Sequence, residues 1–520
     1  MTHRSAVSRA SLLLAVMASP LLAQQHGHDN HGEQLGTVHF STSCSPSVAP
    51  AFDHAIALLH SFEFGASIRG FEEVLRVDST CAMAHWGIAL SRWANPMTAG
   101  IRTPAMLEPG RQASMRATQA AARATDRERG YVDAVAQLYE DYEHRDQRTR
   151  ILAYERAMAD LESKQPADTE AKIFHALALV AAASPTDKTY ANQLAAGATL
   201  ERLWAKQPNH PGLAHYIIHA YDVPALAGHA RVAASRYARI APSAAHALHM
   251  PSHTFTRVGM WEQSIETNLR SMAEAKRTGA MAEALHGADY ATYAYLQLGR
   301  TAKAKEIVDS LPAYAARFDA NAVTGAAPGS AGVFALAAIP ARYALERRDW
   351  GMAASLVPKA SPFPYADALT YFARSLGASH TGDVGAARAG IDSLGAIRER
   401  LVARSESYWA EQVAIQQLAA RAWVELAEHR PDSALALMRQ AYAREDATEK
   451  AAVTPGPLAP AHELTGDMLM ELKRPKDAFV EYGLTLAKEP GRFRSLYGAM
   501  AAARASGNAR LAREYAAKLP

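Results

Sequence analysis

Histidines recur at helical spacing in the middle of the chain, and their side chains suit a transition metal. The five that share this spacing are His215, His219, His246, His249 and His253. Such intervals of three, four and seven residues place side chains on one face of an α-helix. Imidazole nitrogens bind zinc and copper, and zinc takes about four nitrogen, sulfur or oxygen ligands. The pattern therefore predicts a Cu or Zn site, to which His286 and Asp289 would add ligands.

The intervals between these histidines indicate the elements that must position them. The pairs His215–His249 and His219–His253 are each separated by 34 residues. This is the length of one tetratricopeptide (TPR) helix-turn-helix unit, and side chains one repeat apart stack on the same face of such a solenoid. An offset of 40 residues from His249 leads to Asp289 in the next repeat. The sequence thus predicts imidazoles stacked as rungs on one wall.

Alanine-rich helical patterns extend over most of the 520 residues and favour an all-α fold. A single globular core would normally divide at this length, whereas a solenoid grows by packing each repeat on its neighbours. We expect a right-handed α-solenoid of about ten TPR-like helix hairpins. Residues 319–332 (DANAVTGAAPGSAG) indicate a linker, because Gly, Pro, Ser and Ala dominate them. This linker would divide an N-terminal TPR array, residues 47–318, from a C-terminal TPR array, residues 333–520.

Residues 1–23 have the pattern of a secretory signal peptide. Arg4 and Arg9 supply positive charge, residues 11–18 form a short apolar core, and Ala23 precedes the expected cut. No later run of apolar residues is long enough to span a bilayer, so we expect a periplasmic or secreted protein without a transmembrane segment. Without the two arginines, 53 basic residues (55 − 2) face 52 acidic ones. This balance argues against nucleic acid as a partner.

Residues 24–46 form a His-rich segment that we expect to be disordered, because its first part is polar and has nothing to bury. Cleavage after Ala23 would leave Gln-Gln-His at the mature terminus. A free amine, two backbone amides and an imidazole in third place form a square-planar nitrogen set, which Cu(II) and Ni(II) favour. The histidines of this candidate metal tail are His26, His28 and His31. The alternative is a flexible, solvated tail without metal.

Cys44 and Cys81 are the two cysteines of the chain. In an exported protein they can form a disulfide, and one pairing exists. The bridge would tie the segment before the first helix to the second repeat and stabilise the fold by roughly 3–4 kcal/mol in the chain-entropy model. The alternative is a pair of buried free thiols.

Four short stretches stand out beside the packing pattern of the repeats. They are Cys81–Gly87 (CAMAHWG), His215–Asp222 (HYIIHAYD), His246–His253 (HALHMPSH) and Val453–Pro457 (VTPGP). Together they resemble a family of exported bacterial TPR proteins of uncharacterised function. The resemblance implies a scaffold whose inner, concave helices bind a ligand.

The histidines leave three interpretations open. The first is a transition-metal site. The second is a neutral or partly protonated cluster that binds an anionic or peptide ligand, since histidine titrates near neutral pH. The third is packing, with each imidazole hydrogen-bonded inside the array. The metal site is our working hypothesis, and its alternative is a metal-free scaffold of the cell envelope that binds a protein or peptide on its concave face.

Hydrolase chemistry is the interpretation that the sequence favours least. His215 and His219 have the spacing of a zincin helix, but Tyr216 stands where that helix carries its glutamate base. No glycine-rich phosphate loop and no nucleophile motif stands out in the sequence. We therefore expect a binding protein and no enzyme.

Two further patterns concern local structure. Pro251 should interrupt the second histidine helix, because proline inside a helix removes a backbone hydrogen bond at a cost of about 3 kcal/mol. Glu463, Asp467 and Glu471 follow one another at intervals of four. We expect them to form a solvated acidic face.

Overall fold

The computed structural model describes residues 1–2 and 32–520, and residues 32–520 form helices and no strand. A short 3-10 turn at Pro46–Val48 precedes the first α-helix. The α-helices as far as the predicted linker are α1 (Ala49–His60), α2 (Phe64–Val77), α3 (Ala82–Trp93), α4 (Pro104–Ala120), α5 (Asp126–Gln137), α6 (Gln147–Lys164), α7 (Thr169–Ala182), α8 (Ala191–Trp204), α9 (Pro211–Ala220), α10 (Arg231–Ile240), α11 (Ala245–His249), α12 (Pro251–Arg257), α13 (Trp261–Thr278), α14 (Met281–Gln297) and α15 (Thr301–Ala315).

Helix hairpins continue through the rest of the chain. The remaining α-helices are α16 (Gly329–Glu346), α17 (Trp350–Ser355), α18 (Pro364–Thr381), α19 (Val384–Ala403), α20 (Ser407–Ala427), α21 (Pro431–Asp446), α22 (Ala461–Glu471), α23 (Pro475–Lys488), α24 (Phe493–Ala505) and α25 (Ala509–Ala516). Consecutive helices pack on each other, as α13 does on α14, α18 on α19 and α20 on α21. The prediction of an all-α solenoid of TPR-like hairpins is confirmed. No helix in the described part of the chain has the length and apolar character needed to cross a membrane.

The segment before α1 is packed from Gln34 onward, contrary to the expected disorder as far as residue 46. Its backbone is held by Thr37, whose N–H donates to the Asn209 carbonyl over 3.0 Å. The buried apolar side chains of this segment are Leu35, Val38 and Phe40. These side chains supply the burial that a polar tail lacks. The candidate metal tail lies outside the described residues.

Cys44 and Cys81 form a disulfide in the structure, with their Cα atoms 5.0 Å apart. Cys44 lies in the segment before α1, and Cys81 is the residue before α3. The bridge therefore ties that segment to the second hairpin.

The chain between α15 and α16 covers the interior of the solenoid. Residues 316–328 connect the two helices, so residues 329–332 of the expected linker belong to α16. The Gly65 N–H at the start of α2 donates to the Thr324 carbonyl over 2.8 Å. The Ala327 N–H donates to the Glu283 carboxylate on α14, also over 2.8 Å. The connection thus packs on α14 of the preceding hairpin and on α2 near the start of the fold, and Gln34–Pro520 form one unit.

Helices α9, α11, α12 and α14 are buried on every side, unlike the amphipathic helices around them. Every residue of these helices is buried. Helices of this kind form the core of a large protein. α11 ends at His249 and α12 begins at Pro251, so the predicted interruption at this proline is confirmed. These four helices carry the predicted metal ligands.

The acidic residues of α22 correct another expectation. Glu471 is exposed, but Glu463 and Asp467 are buried, so the solvated acidic face is wrong for those two. Arg492 donates to both oxygens of Glu463 over 2.7 and 2.9 Å. Arg494 forms an ion pair with Asp467. The arginines at the start of α24 therefore hold α22 by charge pairs inside the fold.

Arg492→Leu tests this buried ion cluster. The substitution removes the guanidinium that pairs with Glu463 and, at 2.8 Å, with Glu346 on α16. Removing one partner of a buried ion pair costs about 3–5 kcal/mol, and we expect the free energy of unfolding by urea to fall by that amount. Arg430→Leu is the matched control, because Arg430 is half exposed and pairs with Glu425 at the surface. Such pairs contribute about 0–1 kcal/mol, so equal losses in the two variants would contradict the argument.

Candidate metal centre

A first histidine triad joins α9 to α11. Its members are His215 and His219 on α9 and His246 on α11. One ligand atom from each of the three lies within 4.8 Å of the others. In all three rings Nε2 is buried and finds no hydrogen-bond partner among the described residues. The first triad thus brings three imidazoles together, and each of them has one buried nitrogen without a hydrogen bond in the described part of the chain.

The opposite nitrogens of two of these rings are held by acceptors. His215 Nδ1 donates to the His60 carbonyl over 2.6 Å. His246 Nδ1 donates to Glu283 Oε1 over 3.0 Å. Burial would raise the pKa of Glu283, but His246 outweighs it, and the pKa falls to about 2. The carboxylate is therefore ionised and accepts a hydrogen bond from His246 Nδ1. Both rings are thereby fixed in the tautomer that leaves the Nε2 lone pair free, as second-shell acceptors do for metal-bound histidine.

Phe62 closes the first triad from one side. Its ring centroid lies 4.4, 5.6 and 5.7 Å from those of the three imidazoles. The residue is buried and has a φ of 56°, an uncommon conformation for any residue except glycine. Backbone strain of this kind persists where surrounding packing imposes it, often at functional sites. Here it places an apolar ring over the converging nitrogens.

A second triad joins α11 and α12 to α14. Its members are His249, His253 and His286, and one ligand atom from each lies within 4.8 Å of the others. His249 Nε2 and His253 Nε2 are 3.0 Å apart. His286 Nδ1 is buried and has no hydrogen-bond partner in residues 32–520. All three side chains are at most 7% exposed.

The partners of His249 and His253 show which nitrogens carry their protons. Asn268 Nδ2 donates to the Ser264 carbonyl over 2.6 Å, so its Oδ1 faces His249 and must accept from Nδ1 at 2.7 Å. His253 Nδ1 donates to Asp222 Oδ2 over 2.8 Å. With both Nδ1 atoms protonated, the two Nε2 lone pairs face each other at 3.0 Å. Two such lone pairs repel unless a cation or an added proton lies between them.

A proton is an unfavourable occupant of that position. Burial, together with the neighbouring His253, lowers the pKa of His249 to about 3. Burial also lowers the pKa of His253, although Asp222 opposes the shift. Burial and neighbouring imidazoles lower the pKa of His215, His219 and His286 well below the usual value. The rings are therefore neutral near pH 7, which is the form that binds metal.

The two triads form one continuous cluster. The ring centroids of His219 and His253 are 6.2 Å apart, and those of His246 and His249 are 5.9 Å apart. A cavity of about 40 Å³ lies beside them and is lined by two imidazoles of each triad. Those imidazoles are His219, His246, His253 and His286.

Asp289 is the predicted ligand that the structure places elsewhere. Its carboxylate pairs with Arg342 over 3.0 and 3.3 Å, and both side chains are buried. His249 instead faces His286, with ring centroids 4.5 Å apart, and His253 faces Tyr290 at 5.0 Å. Both pairs are separated by 37 residues (286 − 249 and 290 − 253), not by the expected 40. An error of three residues turns a side chain to a neighbouring face of the helix.

Sequence reasoning missed three of the groups that orient the imidazoles. Glu283 lies three residues before His286 on α14, a spacing that places both on one face and could have been recognised. Asn268 lies on α13 and the His60 carbonyl at the end of α1. No interval in the sequence connects either of them to its histidine partner.

A third cluster, His60, Glu170 and His210, differs in chemistry from the two triads. Its ligand atoms also lie within 4.8 Å of one another. However, Glu170 accepts from His60 Nε2 over 3.0 Å and from His210 Nε2 over 2.9 Å. The carboxylate thus bonds both rings, although His210 Nδ1 is buried and has no hydrogen-bond partner among the described residues.

Comparisons with known proteins give a likeness of shape at low identity. A scan of protein-family models and a search of curated proteins each find no match. Among solved structures, the human IFIT1 dimer with m7Gppp-AAAA is 10% identical, with 84% of this chain and 89% of that chain covered and a TM-score of 0.38. An IFIT1 monomeric mutant with Gppp-AAAA is 11% identical, with 92% and 95% covered and a TM-score of 0.37. Naa15/Naa10 bound to HypK-THB is 12% identical, with 91% and 68% covered and a TM-score of 0.20. Such values carry no inference about ligands.

Acid should destabilise the metal-free protein through the buried imidazoles. The rings with lowered pKa are His215, His219, His249, His253 and His286. The folded chain keeps them neutral, while the unfolded chain protonates them below about pH 6.5. The contribution of these neutral rings to the free energy of unfolding is therefore fully present above about pH 6.5. It is lost as the pH falls toward the lower pKa values of the folded state. The loss is at most about 1.4 kcal/mol per ring per pH unit.

Urea unfolding of metal-stripped protein at pH 7.5 and pH 5.5 measures this loss. His286→Leu removes one titrating ring and should lose less stability over the same interval. Equal stability of the unsubstituted protein at the two pH values would contradict the assignment of neutral, buried rings.

Proposed function

We propose that the protein is an exported metal-binding solenoid that holds Cu or Zn in the six-histidine cluster. The observation that carries the proposal is the 3.0 Å approach of His249 Nε2 and His253 Nε2 while both Nδ1 atoms donate elsewhere. A metal ion removes the repulsion between the lone pairs by accepting both of them. Nitrogens bound to one tetrahedral zinc at 2.0–2.1 Å lie about 3.3 Å apart, close to this separation.

The unpartnered nitrogens of the cluster support the same conclusion. Four ring nitrogens of the six-histidine cluster are buried and have no hydrogen-bond partner among the described residues. They are Nε2 of His215, His219 and His246, and Nδ1 of His286. Each unsatisfied buried polar atom costs about 1–3 kcal/mol. Coordination would satisfy all four at once, whereas packing alone leaves the cost in place.

The donor set favours copper or zinc among the common metals. The converging ligand atoms of the two triads are all imidazole nitrogens, the type of ligand that suits Zn, Cu, Fe and Ni. Calcium and magnesium prefer oxygen ligands, which the triads do not offer. Acceptors behind the rings complete the second shell of a histidine metal site.

A peptide ligand fits these imidazoles less well, because segments of the chain itself cover them. The Ala327 N–H bonds Glu283 behind the first triad. Tyr290, which packs on His249 and His253, donates to the Ala452 carbonyl over 2.9 Å. A peptide would have to displace both covering segments before it reached a ring nitrogen.

Export is part of the proposal, and the disulfide supports it. Disulfides persist in oxidising compartments and are rare in the cytosol. Fractionation of cells that make the full chain, with sequencing of the mature terminus, should find the protein outside the cytoplasm and beginning at Gln24. A full-length cytoplasmic product with reduced Cys44 and Cys81 would contradict export.

Elemental analysis of the full chain tests metal binding. Because the candidate tail could bind copper by itself, the experiment uses a background with His26→Ala, His28→Ala and His31→Ala. After equilibration with Zn(II) or Cu(II) and gel filtration, this protein should retain stoichiometric metal. The added substitutions His215→Ala, His219→Ala, His249→Ala and His253→Ala should together abolish it.

The matched control is His462→Ala. His462 is buried and bonds Glu481 and Asp446, outside the six-histidine cluster. The His462→Ala variant should retain as much metal as its parent. Far-UV circular dichroism should show that every variant is folded. A folded parent protein that retains neither metal would leave packing or a metal-free scaffold as the role of the cluster.

A further inference from the structure

The six imidazoles divide into two sets that are each complete for one ion. Each triad brings three ligand atoms within 4.8 Å of one another, and the two sets share no residue. Zinc and imidazole-bound copper take about four ligands, so six nitrogens exceed what one such ion accommodates. Three protein ligands and one open position are the arrangement of metal sites that bind a further ligand.

The open sides of the triads are directed to a common space. His219 and His246 from the first triad line the same cavity as His253 and His286 from the second. Phe62 covers the first triad on another side, and Tyr290 packs on all three rings of the second. The cavity is therefore the direction from which a further ligand reaches both sets.

We infer that the cluster holds two metal ions, one on each triad, and that a small anion binds between them in the shared cavity. This inference rests on the proposed metal-binding function and adds to it the number of ions and the class of the exogenous ligand.

Charge favours an anion in that position. Two divalent ions bring four positive charges, while their imidazole ligands are neutral. Glu283 supplies one negative charge behind the first triad through its bond to His246. Asp222 supplies another behind the second triad, but Arg257 at 2.9 Å and Lys450 at 3.8 Å already offset it. A buried excess of positive charge is costly, and an anion that bridges the ions reduces it.

The size and walls of the cavity limit the anion to a few atoms. A volume of about 40 Å³ has room for about three water molecules, since one water needs roughly 10–15 Å³ on this measure. Tyr365, Trp409, Val453 and Pro328 also line the cavity. These side chains carry no charge, and Trp409 Nε1 is buried without a hydrogen-bond partner among the described residues. Hydroxide and azide fit such a space, whereas a peptide carboxylate with its chain does not.

Counting the ions tests the first half of the inference. In the background without tail histidines, the Cu(II)-loaded protein should hold two ions per chain. His215→Ala with His219→Ala should hold one, and His249→Ala with His253→Ala should also hold one. The His462→Ala control should hold two. No metal in the parent would overturn the proposed function, whereas one ion per parent chain would overturn this inference and leave the proposed function standing.

Azide titration tests the second half. The Cu(II)-loaded parent should bind one azide per two ions, as shown by the azide-to-copper charge-transfer absorption. Each double variant should bind it at least tenfold more weakly, because one end of the bridge is lost. Val453 lines the cavity and is not one of the metal ligands, so Val453→Phe should fill the cavity, keep both ions and lose azide binding. Azide affinity that is unchanged in the double variants or in Val453→Phe would overturn the bridging position.

Discussion

The site depends on one constraint: the Nε2 lone pairs of two imidazoles face each other in an interior that disfavours protons. Neither His249 nor His253 can relieve it by changing tautomer. The Asn268 amide is held by the Ser264 carbonyl, and Asp222 is held ionised by cations despite its burial. In the other tautomer the Nδ1 lone pair would face an acceptor oxygen, that of Asn268 at 2.7 Å for His249 or that of Asp222 at 2.8 Å for His253. The helices thus impose an arrangement that is unfavourable for a metal-free protein and favourable for a cation.

Loops exclude water from the histidine cluster. Residues 316–328 pack against the start of α2 and cover α14, and residues 451–454 accept from Tyr290 beside the second triad. Without these segments the imidazoles would be exposed to water and would titrate there. Burial by the chain's own connections therefore converts a histidine wall into an enclosed centre with lowered pKa values.

The sequence was sufficient for the hairpin fold, the break at Pro251 and the proximity of six histidines, because these depend largely on local spacing. Metal binding by those histidines stays a prediction. The sequence was insufficient where the outcome depends on a partner far along the chain. The 37-residue register that brings His286 to His249, in place of Asp289, follows from the lengths of α12 and α13, which periodicity leaves uncertain by several residues. Glu463 and Asp467 have the spacing of an exposed acidic stripe. Only the arginines at the start of α24, 29 residues beyond Glu463, show that this stripe is buried (492 − 463). Likewise, a composition typical of linkers gives no sign that residues 319–328 cover an interior helix.

One stretch of chain, residues 245–257, serves both triads. Side chains at intervals of three and seven residues share a face of an α-helix, but seven residues also separate them by about 10 Å along its axis. α11 ends at His249 and α12 begins at Pro251. His246 contributes to the first triad, while His249 and His253 contribute to the second. A proline that costs helix stability thus lies between His249 and His253, the two imidazoles of the second triad whose Nε2 atoms face each other.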